Sequence, residues 1–185
     1  MTISRRNLLA GSAAVSLTAM APLSRAAIPV KSGNVVLVHG RFADGSCWLD
    51  VIKRVQAAGL NVTSVQNPLT TLPEAVDAAR RVLNRQDGAT VFVAHSFSGM
   101  IVTEAGVHPR VSSLVYVAAR APDAGEVYTA LAKTYRTPPA PAGIVFDGDE
   151  GRLSEEAFLH DFAQDLPVSR VRQLMPCSSP FRRPC

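Results

Sequence analysis

Apolar and polar positions along the chain alternate between two rhythms. Short apolar, β-branched runs recur near 34–38, 61–65, 90–94 and 112–118, with the length and composition of buried strands. Between the first two, Leu49, Ile52, Val55 and Ala58 repeat at helical spacing, and Gly59 stands where a helix commonly ends. Thr71-Leu72-Pro73-Glu74 has the spacing of a capping box with proline at a tolerated early position. Leu72, Ala75, Val76, Ala79, Val82 and Leu83 then share one stripe, leaving Arg80, Arg81 and Arg85 on a solvated face. Met100, Ile101, Val102, Ala105 and Val107 predict a third helix, apolar on most sides, that runs to His108-Pro109. Strand and helix in alternation predict an α/β three-layer sandwich with a mainly parallel central sheet and crossover helices.

The rhythm stops after Arg120. Thr137-Pro138-Pro139-Ala140-Pro141-Ala142-Gly143 makes a stiff link, and a helix is expected from Ser154 to Asp165. Residues 169–185 are expected to be irregular: prolines interrupt the last stretch, apolar periodicity is lost, and Cys177 and Cys185, two of the chain's three cysteines, fall there. They could pair in an oxidising compartment, leaving Cys47 free. That stretch reads as an ending foreign to the domain, as a frame shift would leave. At the other end, Arg5-Arg6 precedes a short stretch of Ala, Leu, Val, Ser and Gly closed by Pro22. Residues 1–26 thus read as a twin-arginine export signal cleaved after Ala26, with the periplasm or the exterior of a bacterium as destination. The stretch is too short and polar to predict stable membrane insertion; the expected partner is the twin-arginine export machinery.

The ends also distort the charge. The chain has 19 Lys+Arg against 15 Asp+Glu. Removing Arg5, Arg6 and Arg25 leaves 16 basic residues, and removing Arg170, Arg172, Arg182 and Arg183 leaves 12 against the same 15. A mildly acidic domain offers no basic stripe for phosphates, so nucleic acid is not an expected partner. About 159 residues remain after cleavage, enough for one domain with a real core.

Two segments carry candidate chemistry. Val91-Phe92-Val93-Ala94 delivers His95-Ser96-Phe97-Ser98-Gly99 to the next apolar segment, a strand-to-helix turn that would hold the Ser96 oxygen clear of the backbone. The usual pattern places glycines two before and two after the serine; Ala94 and Ser98 are small enough to serve. The competing reading of Ser96 is a plain helix cap. Upstream, Asn34-Val35-Val36-Leu37-Val38 ends in His39-Gly40-Arg41-Phe42, with Asp44-Gly45-Ser46-Cys47-Trp48 opening the next helix.

Together these segments resemble the α/β-hydrolase family, in its small esterase and hydroxynitrile-lyase-like branch. The resemblance implies a sheet of which this chain lacks the later strands, a domain over 27–168, and a cap over 121–168. It implies Ser96 as nucleophile and the backbone N–H groups of Arg41 and Phe97 as the oxyanion hole, with His39 and His95 in structural roles. It implies no cofactor and no metal, and no His or Cys pair has zinc-ligand spacing. The general base is unassigned. His108 would lie roughly 18 Å from Ser96 at the far end of its helix. His160 follows Asp147 and Asp149 in the right order but points away from the apolar face made by Phe158, Leu159, Phe162 and Leu166. The expected activity is hydrolysis of a small carboxylic ester. A hydroxynitrile-type lyase and a non-catalytic fragment or binding module are the alternatives.

Overall fold

The computed structural model describes residues 32–123, 126–175 and 180–182. The expected export signal and both tail cysteines lie outside the described residues. A parallel sheet runs through β1 (Asn34–Val38), β2 (Asn61–Val65), β3 (Thr90–His95) and β4 (Val111–Val117), in the order β2-β1-β3-β4. All three pairings are parallel. The helices α1 (Leu49–Ala57), α2 (Leu72–Leu83) and α3 (Gly99–Ala105) make the crossovers.

Side chains alternate across each strand, and the central strands are apolar on both faces. Val36, Val38, Phe92 and Ala94 pack with α2 and α3 on one face. Val35, Leu37 and Val93 pack with Trp48, Ile52 and Val55 on the other. This makes the expected three layers. The α2 stripe is buried from Ala75 to Leu83 as its spacing predicts, with Ala78 added and Leu72 half-buried, and Arg80, Arg81 and Arg85 are exposed. Thr71 caps it, its hydroxyl accepting from the Glu74 N–H (3.3 Å) and donating to the Glu74 carboxylate (2.9 Å). Gly59 ends α1 with φ +78°.

Four expectations are corrected. The helix after Ser96 ends at Ala105, and Val107, expected on its apolar surface, is 86% exposed. The helix expected from Ser154 to Asp165 is only α5 (Glu155–Ala157) followed by a wide turn, Phe158–Phe162, in which the Ala163 N–H reaches back to Phe158 O. Before it lies a hairpin absent from the sequence reading, β5 (Ile144–Asp147) and β6 (Glu150–Leu153). The tail is not irregular throughout. It carries α6 (Val168–Leu174) and a short strand, β7 (Phe181–Arg182), that pairs antiparallel with β6. The boundary at 168 therefore cuts through one unit, because Val171, Leu174 and Met175 pack with Leu153, Ala157 and Phe158. A short α4 (Tyr128–Ala132) precedes the hairpin.

Candidate active site

Ser96 occupies the tip between β3 and α3 with φ +56°, the left-handed region that a residue with a Cβ rarely adopts. The turn is held at several points. The Ser98 side chain is completely buried; its hydroxyl accepts from the His95 N–H (2.9 Å), and its proton faces Val38 O (2.8 Å) and His95 O (2.9 Å). At the place where the usual pattern has glycine, this serine bolts the turn to β1. Ala94, the other substituted position, is buried in the core. The Arg120 N–H donates to Ser96 O (3.0 Å). Gly99 permits that approach, since a Cβ there would lie 1.7 Å from Arg120 O.

The loop after β1 lies against this turn. A Cβ on Gly40 would sit 3.1 Å from the Ser96 Cβ, so the backbone leading to the Arg41 N–H passes directly beside the serine. The Arg41 guanidinium stacks over the Phe97 ring at 5.2 Å. The first N–H groups of a helix lack intrahelical partners, and Phe97 stands in the first turn after Ser96. The structure thus brings together Ser96, Arg41 and Phe97, the three residues singled out in the sequence.

The four histidines of the chain divide differently. His39 is buried, its Nδ1 facing Gly40 O (2.9 Å) and its Nε2 accepting from the Asn67 N–H (3.3 Å). Burial holds its pKa below the ordinary value, and one donor with one acceptor describes a neutral imidazole. His95 stands edge-on to Trp48, ring centroids 6.2 Å apart. Burial, then the neighbouring His39, lowers its pKa. His108 faces Asn84 Oδ1 through Nε2 (3.0 Å) and accepts the Arg110 N–H at Nδ1 (3.2 Å). His160 is exposed on the wide turn of the cap. Among the described residues no histidine hydrogen-bonds the Ser96 hydroxyl. Burial, then Asp44, pushes the Cys47 thiol up to about 12, so it is protonated and no rival nucleophile. No group of three His, Cys, Asp or Glu among the described residues is arranged to hold a metal ion.

A cavity of about 290 Å³ opens beside His95, between Ala43–Cys47 and cap residues that include Phe158, Phe162 and Leu174. Sequence reasoning missed Asn67, which holds His39, and Phe181, whose ring lies 4.8 Å from the Arg41 guanidinium. Phe181 had one signal: it is the sole aromatic after Phe162.

A parallel sheet with crossover helices and a serine in a strained strand-to-helix turn places the chain in the class of α/β proteins with the hydrolase fold. A model of the alpha/beta hydrolase family matches residues 35–184, and the chain belongs to that family. A sequence comparison with curated proteins returns no match. Among solved structures, a pyrethroid hydrolase from Sphingobium faniae JZ-2 is similar, with 20% identity, a TM-score of 0.60 and coverage of 73% of this chain and 62% of that one. Tomato methylketone synthase I has 15% identity, a TM-score of 0.65 and coverage of 82% and 68%. An extracellular alpha/beta-hydrolase from a Paenibacillus species has 17% identity, a TM-score of 0.60 and coverage of 80% and 66%. These likenesses establish the fold. The chain spans 62% of the length of the pyrethroid hydrolase.

Proposed function

We propose that the chain carries the nucleophile and oxyanion hole of an exported serine hydrolase acting on a small carboxylic ester. The observation that supports this best is the φ of +56° at Ser96, since strain at a serine in this turn is the cost of exposing its oxygen. In the proposed reaction the Ser96 oxygen attacks the ester carbonyl, its proton passing to a base. The Arg41 and Phe97 N–H groups bind the oxyanion, the alcohol leaves, and water releases the acid. Export rests on Arg5-Arg6 and the segment after them.

Hydrolysis of p-nitrophenyl acetate tests the reading. Turnover above that of a Ser96→Ala variant is expected, with acceleration by added imidazole that the variant lacks; identical rates for parent and variant would reject it. A second reading, a ligand-binding module without turnover, draws on the absence of a histidine bonded to Ser96 among the described residues. It predicts parent and variant alike in this assay and in cyanohydrin cleavage, the assay that would instead reveal a lyase.

A further inference from the structure

The geometry points to Phe181 as a positioning residue of the candidate oxyanion hole: its ring clamps the Arg41 guanidinium against Phe97 and so fixes the Arg41 backbone N–H beside Ser96. This rests on the proposed roles of Ser96, Arg41 and Phe97, and adds to them a residue from the far end of the chain.

Gly40, which touches the elbow, has no side chain with which to anchor its own loop. The peptide that carries the Arg41 N–H is held on its carbonyl side by His39, whose Nδ1 faces Gly40 O (2.9 Å), and on the following side by what the next two side chains grip. Both grip Phe181. The Arg41 guanidinium lies between two rings, 4.8 Å from the centroid of Phe181 and 5.2 Å from that of Phe97. Phe42 meets Phe181 edge-on at 5.6 Å and Phe162 at 5.7 Å. A cation over two aromatic faces in a partly desolvated place is attracted by both quadrupoles.

Phe181 is itself fixed. It is 3% exposed and stacks edge-on against Phe146 at 6.2 Å. Its seat is shaped by Gly151, where a Cβ would fall 2.7 Å from the ring. Its strand is bonded on both sides. Residues 181 and 182 pair with Gly151 and Glu150 of β6, and the Arg182 N–H donates to Leu69 O at 3.0 Å. Leu69 has φ +53°, a conformation kept only where the surroundings over-determine it. A chain of contacts thus runs from the cap sheet through one ring to the loop beside Ser96.

Backbone ¹⁵N relaxation on the full chain tests the clamp, read at the Arg41 and Phe42 amides. Phe181→Leu keeps an apolar side chain in the seat but removes the aromatic face; Arg41→Ala removes the other half of the contact. In the parent, order parameters of about 0.85 are expected at both amides, falling below about 0.6 in either variant while β1 and β3 keep theirs. The double variant falls by less than the sum of the singles, since both remove the shared Arg41–Phe181 contact, and Phe181→Tyr keeps the parent values. Unchanged order in Phe181→Leu, or additive losses in the double variant, overturns the clamp. The hydrolase reading is decided separately by the Ser96-dependent turnover of the parent. Where that turnover exists, Phe181→Leu lowers kcat about tenfold with KM within about twofold, as expected for a donor used in the transition state; an unchanged kcat overturns the positioning role.

Discussion

Ser96 holds a conformation that its own Cβ opposes by about 1–2 kcal/mol. Glycine would remove that strain but lose about 0.5–1 kcal/mol more chain entropy than alanine, so the strain wins. Ser96→Gly is expected to be more stable than Ser96→Ala by up to about 1.5 kcal/mol in urea unfolding; equal midpoints would mean that the turn is relaxed. Gly99→Ala is the opposite case. With its Cβ directed onto a carbonyl oxygen at 1.7 Å, it is expected to cost about 3 kcal/mol or more, seen as a collapse of the urea midpoint.

The buried histidines set a pH dependence. Folded pKa values below the ordinary 6.5 for His39 and His95 mean that the unfolded chain binds more protons as the pH drops through the unfolded value. Their contribution is complete above about pH 7. It declines from about pH 6.5 downward, by at most about 1.4 kcal/mol per pH unit for each histidine, until the folded values are reached. Urea midpoints at pH 7, 6 and 5 measure it, and His39→Gln is expected to flatten the decline. At this scale much was legible: Ser96, Gly40 and Gly99 announce themselves because a tight turn restricts side-chain size. Ser98 was legible as small, but its hydrogen bonds to β1 depend on a strand 60 positions away.

Elements were legible where one rhythm ran unbroken. The stripe of α2 fixed both its range and its buried face, because a single helix packs it on one side of a sheet. For α3 the apolar letters ran past the true end. Gly106 closes the helix, packed where a Cβ would meet Val102 O at 2.6 Å, and Val107 turns to solvent. The β5–β6 hairpin escaped notice because its register is set by pairing with β7 and by the cap core, neither of which leaves a local rhythm. β4 is the sheet's outer strand opposite β2. Leu114, Val115 and Val117 are each 40–44% exposed, the pattern of an edge that recruits other strands. Val115→Lys should therefore reduce light scattering on concentration and leave the urea midpoint within about 0.5 kcal/mol of the parent. Scattering that does not change would place self-association elsewhere.

At the scale of the whole molecule, the sheet presents Ser96 and the loop after β1 at one end, and a second core, built from residues 140–175 and joined by Phe181, packs against that loop through Phe42. The tail was misread because composition alone describes it as prolines and cysteines; Phe181 acquires meaning only through Arg41, 140 positions earlier in the chain. The base stays unassigned because His39 and His108 already spend both ring nitrogens on structure, His95 is packed against Trp48, and His160 faces solvent. The proposed oxyanion hole would retain a share of rate enhancement without a base, and this is why added imidazole is expected to help. The most direct measurement is labelling of the folded chain with a fluorophosphonate in the presence of imidazole, followed by mass spectrometry of its peptides. The account predicts one phosphonylated residue, Ser96, and none in Ser96→Ala; no adduct on the folded protein, or an adduct that survives the substitution, would contradict it.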